Sequence, residues 1–134
     1  MWKNILIFVF LGSLVFTPPS FCQENTGNID ARFVGTWEAK AGGARIVTTI
    51  KQDGTWISEG YCPYKESPDI TTGSWEVKDN KFLWTYDKDN ILFRAGEKDI
   101  NPILGVTNEK FILKEMSGII TTFKRIGGKK NVEK

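Results

Sequence analysis

The sequence predicts an all-β fold: a single antiparallel up-and-down meander of eight or nine strands closed into a barrel. Short runs rich in Val, Ile, Thr, Trp, Phe and Tyr alternate with turn residues from Gly35 onward. No stretch beyond the N-terminal apolar segment sustains a helical period. Nearly every link is short, so consecutive strands pair as hairpins, and rolling up such a meander removes its unpaired edges.

Ala31-Arg32-Phe33-Val34 is long enough for one helical turn. The first strand is expected at Gly35–Lys40 and the second at Ala44–Lys51, with Ala41-Gly42-Gly43 as the turn between them. Asp53-Gly54 is a strong hairpin signal, and Thr55–Tyr61 returns as the third strand. Cys62–Asp69 reads as an irregular loop, the longest of the domain, kept out of any central strand by Pro63 and Pro68. Thr71–Lys78 and Lys81–Tyr86 form a hairpin about Asp79-Asn80, and Phe82, Trp84 and Tyr86 share one face. Ile91–Gly96 is expected as a strand after the turn Asp87–Asn90, and Ile103–Val106 as a short one. Lys110–Met116 and Ile119–Ile126 close the meander around Ser117-Gly118. Gly35-Thr36-Trp37, Gly54-Thr55-Trp56 and Gly73-Ser74-Trp75 recur at an interval of 19 residues, which is regular hairpin spacing and does not continue into a repeat array.

The 134 residues allow one ordinary domain. Residues 1–22 read as a signal peptide. A short positive start, Met1–Asn4, precedes the apolar run Ile5–Phe16, and Thr17-Pro18-Pro19-Ser20 stops it. Ser20 and Cys22 are the small residues that favour cleavage before Gln23. Lipidation of Cys22 is the lesser alternative, because bulky Phe21 stands where a lipobox needs a small residue. Export to the periplasm or the exterior is therefore expected, with no transmembrane span left after cleavage. A polar lead at 23–32, the barrel at 33–126 and a basic flexible tail at 127–134 complete the organisation.

Composition excludes several function classes. Net charge is +2, and Lys3 leaves with the signal, so nucleic-acid binding has no electrostatic footing. The chain has no histidine, which removes Ser-His and Cys-His pairs and most zinc sites. Cys62 alone cannot form an internal disulfide and reads as an inert loop thiol. Asp53, Asp79, Asp87 and Asp89 sit in turns, where their side chains serve the turn. No catalytic residue, metal or cofactor is expected; two carboxylates facing one another in a cavity would reopen the question of an enzyme.

Phe33-Val34-Gly35-Thr36-Trp37 resembles the start of the first strand in lipocalins and fatty-acid-binding proteins, the calycin group, and the chain looks most like the short bacterial lipocalin-like domains. The resemblance implies that Gly35 and Trp37 close one end of the barrel and that a basic residue of the last strand packs over Trp37. Arg125 is the better match, with Lys124 as the alternative. It also implies an internal pocket for a small apolar or amphipathic ligand. The short link between Lys40 and Ala44 has no room for a helical lid, and no terminal helix follows the last strand.

Aromatic residues are the informative class. Core packing accounts for most of them. Trp56, Trp75, Trp84, Tyr86 and Phe93 are the candidates to line a pocket, with Arg94 and Tyr61 as polar partners. The competing expectation is a protein-interaction or inhibitor barrel acting through the 61–69 loop, with Tyr61 and Tyr64 in the contact.

Overall fold

The computed structural model describes residues 29–128. The signal segment, most of the polar lead and the tail beyond Gly128 lie outside them. A single 3-10 turn, Ala31–Phe33, precedes eight strands: β1 (Gly35–Ala41), β2 (Ala44–Ile50), β3 (Thr55–Tyr61), β4 (Asp69–Lys78), β5 (Lys81–Tyr86), β6 (Lys98–Val106), β7 (Lys110–Lys114) and β8 (Ile120–Gly127). They form one closed barrel in sequence order, every neighbour antiparallel, and β8 returns to β1 with Trp37 opposite Arg125. This eight-stranded closed meander fits a calycin-like fold.

Local chemistry explains the hairpins. Asp53 Oδ1 accepts from the Thr55 amide at 2.9 Å and from its hydroxyl at 2.6 Å, and Gly54 takes φ 89° to turn the chain. Asp79 and Asn80 both adopt positive φ, 53° and 60°, which matches the right-handed twist of β4 and β5. Gly73 allows a close approach. A Cβ there would lie 1.8 Å from the Thr85 carbonyl oxygen and 2.9 Å from Trp56 Nε1.

The expected strand at Ile91–Gly96 does not form, and β6 instead runs unbroken from Lys98 to Val106. Side chains capture the backbone that a strand would need. Asn90 Oδ1 accepts from the amides of Leu92 and Phe93, each at 2.8 Å. Asp89 Oδ1 accepts from Ala95 at 2.9 Å, and Glu97 Oε2 from Arg94 at 2.8 Å. Such local bonds compete with a ladder. Asp87–Glu97 is therefore an ordered loop, longer than the β3–β4 connection, which spans 62–68 and which the sequence predicts, as Cys62–Asp69, to be the longest. Gly127, expected in the tail, is the last residue of β8.

The two ends of the barrel differ. At the closed end Phe33, held by the 3-10 turn, is fully buried against Phe82 and Phe111, with ring centres 5.2 and 5.0 Å away. Trp37 meets Phe111 edge-on at 4.7 Å, and Trp75 stacks on Phe82 at 5.4 Å. The connections β1–β2, β3–β4, β5–β6 and β7–β8 all gather at the other end, around an open mouth.

Candidate functional site

The alternation of β-strand side chains points one row from every strand inward. Near the closed end those rows are aromatic and fill the interior. Toward the mouth they shorten and become polar, and a cavity of about 270 Å³ remains. That volume lies at the lower edge of the roughly 300–1,000 Å³ typical of small-molecule sites.

The floor of the cavity is aromatic. Trp56 stands nearly perpendicular to Trp84 (5.2 Å, 82°) and to Tyr86 (5.4 Å, 87°), so the three rings make a corner. Phe123 continues the floor beside Trp84, with ring centres 6.1 Å apart. The indole nitrogens are satisfied within the fold: Trp56 donates to the Ser74 carbonyl at 2.9 Å, and Trp84 donates to Asn101 Oδ1 at 2.8 Å. With their donors used this way, both rings are held in place and present carbon surface to the cavity.

The walls are polar. Thr48 and Ser58 bond to each other across β2 and β3. Asp99, Asn101 and Glu115 enter from β6 and the end of β7, and Thr121 from β8. Asn101 is 2% exposed and links two groups: it accepts from Trp84 and donates from Nδ2 to Asp99 Oδ1 at 2.9 Å. Thr121 Oγ1 donates to Glu115 Oε1 at 2.5 Å. At the rim Asp69 is paired with Lys65 at 2.8 Å. Asp99 and Glu115 have no cationic partner among the described residues, and no lysine or arginine lines the cavity. Burial pushes the Asp99 carboxyl above its ordinary range; the Asn101 bond opposes this, and the charge of Glu115 adds to it. Burial, then the charges of Asp99 and Glu115, raise the Tyr86 phenol strongly, so it stays protonated. Its hydroxyl makes no hydrogen bond among the described residues.

The expected pocket residues separate into groups. Trp56, Trp84 and Tyr86 line the cavity together. Trp75 faces the opposite half of the barrel, where it donates to the Lys51 carbonyl at 2.9 Å and packs on Phe33 and Phe82. Phe93 is outside the lining but stacks on Tyr86 at 4.6 Å, 6° from parallel, and buttresses it from the β5–β6 loop. Arg94 is exposed in that loop. Tyr61 points outward, where its hydroxyl donates to Glu59 and Arg45 lies 5.5 Å over its ring. The sequence reading missed Asp99, Asn101, Glu115, Thr121 and Phe123. Extending the period of two along each strand would have found Glu115, which shares a face with Phe111 and Leu113.

At the closed end the Arg125 guanidinium lies 4.2 Å from the centre of the Trp37 indole. It donates to Asn108 O at 2.6 Å, Val34 O at 2.9 Å and Arg32 O at 3.3 Å. Lys124 is exposed. A wider depression of about 790 Å³ lies beside this arginine, outside the barrel, between the β6–β7 turn and the end of β8. Lys110, Lys124 and Arg125 line it, Arg125 is already committed to those carbonyls, and no aromatic ring among the described residues faces it, so the barrel mouth is the candidate site.

Cys62 is half-buried and free. Among the described residues no His, Cys, Asp and Glu group of three or more could hold a metal, and no helix is long and apolar enough to cross a membrane. No known family model matches the chain, and comparison with curated proteins finds no match.

Proposed function

We propose that this protein is a non-catalytic binding barrel for a small amphipathic molecule, exported by its N-terminal segment. The observation that carries the proposal is the cavity at the mouth, where an aromatic corner of Trp56, Trp84 and Tyr86 meets a polar wall. Apolar floors with few polar anchors are how small-molecule sites combine affinity with orientation. Asp99 and Glu115 share this cavity, which is the arrangement that reopens acid–base catalysis. Binding is the better reading because each carboxylate is engaged with a neighbour that shapes the wall, Asp99 with Asn101 and Glu115 with Thr121.

Native purification followed by extraction and mass spectrometry tests the proposal. A small molecule should co-purify, quench tryptophan fluorescence when added back, and return chemically unchanged after incubation. Thr71→Phe, which fills the cavity from β4, should abolish both capture and quenching. A ligand returned as a different compound would favour an enzyme. Equal capture by the filled variant would place the site elsewhere.

Tyr64, 91% exposed in the β3–β4 loop, supports a second reading as a protein-contact barrel. In that case Tyr64→Ala should remove a partner from a pull-down of envelope extract and leave small-molecule quenching intact.

A further inference from the structure

We infer that the molecule taken up by the barrel carries a positive charge, as a protonated amine or quaternary ammonium on a small apolar body. This rests on the binding reading above and names the ligand class. Two independent features of the cavity converge on it.

The first is the aromatic corner. Trp56 packs edge-to-face with Trp84 and Tyr86 at 5.2 and 5.4 Å, and what these rings offer a ligand is the aromatic surface left at the cavity floor. Indole and phenol faces carry negative potential and attract organic cations, and sets of such rings are a recurrent way to recognise ammonium groups. Trp84 is tied to Asn101, so its ring is held in place and need not be ordered on binding.

The second is charge. Among the described residues Asp99 and Glu115 enter the same cavity with no cation to neutralise them, while the rim carboxylate Asp69 already has Lys65. Their hydrogen bonds to Asn101 and Thr121 fix their positions but supply no positive charge. A cationic head offsets their repulsion. A fatty-acid carboxylate in the same place would add a third like charge in a partly desolvated site, a costly arrangement. A neutral alcohol would gain the aromatic contact and forgo the electrostatic one.

Titration of protein expressed from the full chain with hexylamine, hexanol and hexanoate tests this, because the three probes share one alkyl body. Tryptophan fluorescence and calorimetry report the affinity. Hexylamine should bind about tenfold or more tighter than hexanol, and hexanoate weakest, as expected for a desolvated cation held beside carboxylates over an aromatic floor. The double variant Asp99→Asn, Glu115→Gln should lose that preference and still bind hexanol, with its circular dichroism unchanged. Hexanol or hexanoate binding as tightly as hexylamine overturns the charge inference and leaves the binding barrel standing. Binding of none of the three, in a folded protein, overturns both.

Discussion

The guanidinium of Arg125 covers the indole of Trp37 at 4.2 Å and at the same time donates to three backbone carbonyls, of Arg32, Val34 and Asn108. One side chain thus joins the 3-10 turn, β1, the β6–β7 turn and β8. The closure is a planar fork laid on a ring, a geometry lysine cannot copy. Replacing Arg125 by Ala uncovers the Trp37 indole and leaves the part-buried Val34 carbonyl without this donor, and should destabilise the barrel by about 1–3 kcal/mol. Arg125→Lys should recover only a minor part of the loss. Urea unfolding followed by tryptophan fluorescence measures both, and a lysine variant as stable as the parent would show that charge alone holds this end.

Glycine is required where backbone meets backbone. A Cβ on Gly73 would collide with the Thr85 carbonyl and the Trp56 indole, and one on Gly35, at φ 147°, would collide with Arg125 Nη1 at 2.1 Å. At Gly105 nothing lies within 4 Å. Gly73→Ala should therefore cost roughly 3 kcal/mol or more, or prevent folding, whereas Gly105→Ala should stay within about 1 kcal/mol of the parent. Comparing soluble yield and chemical denaturation of the two variants checks the contrast. Gly73→Ala behaving like Gly105→Ala would mean that β4 and β5 can separate at no cost.

Strand positions were legible wherever turn chemistry and alternation agreed. β3 and β5 run over the residues expected from the sequence, because Asp53-Gly54 and Asp79-Asn80 fix both the turn and the register. The first part of β6, residues 98–102, was not legible because its pattern is inverted, whereas Ile103–Val106 was expected as a strand. Ile100 and Leu104 face solvent at 48% and 51% exposure, while Asp99 and Asn101 point inward. Alternation is read on the premise that apolar residues face the core, and here a polar cavity reverses that premise. Asp99 is thus hidden by the pattern of its strand, whereas Glu115 continues the regular alternation of Phe111 and Leu113. Trp75 and Trp56 begin at equivalent places in their Gly-x-Trp triplets, yet one fills the closed end and the other floors the cavity. Only the stagger of the strands around the barrel separates them.

The β5–β6 loop owes its order to side chains. Asp89 and Asn90 together hold the amides of Leu92, Phe93 and Ala95, and Phe93 in turn supports Tyr86. The double variant Asp89→Ala, Asn90→Ala should raise amide exchange and proteolytic nicking across Asp87–Glu97 and leave the barrel within about 1 kcal/mol of the parent, because exposed loop bonds contribute little to global stability. Ligand quenching should weaken, since Tyr86 loses its stacking neighbour. Unchanged exchange in the loop would assign its order to the strand ends instead.

Asp99 sets a pH dependence whose sign follows from its surroundings. Burial, aided by the charge of Glu115 and opposed by the Asn101 bond, holds its carboxyl above the ordinary aspartate value of 3.8. The folded barrel therefore binds a proton there more tightly than the unfolded chain does. The stability this contributes is complete below the unfolded value and is lost as pH rises through the folded one. At neutral pH the ionised group is a liability to the fold. Asp99→Asn removes the charge while its amide oxygen still accepts from Asn101, so the variant should melt above the parent at pH 7. The gap should close as pH falls below about 4, where both side chains are neutral. Thermal unfolding of the two proteins across pH 3–8 measures it, and comparing them pH by pH cancels the opposite trend of Asp30, whose carboxyl is held low mainly by its bond to Arg32. A gap that does not vary with pH, or a variant that melts lower at neutrality, would show that Asp99 is already compensated in the empty barrel.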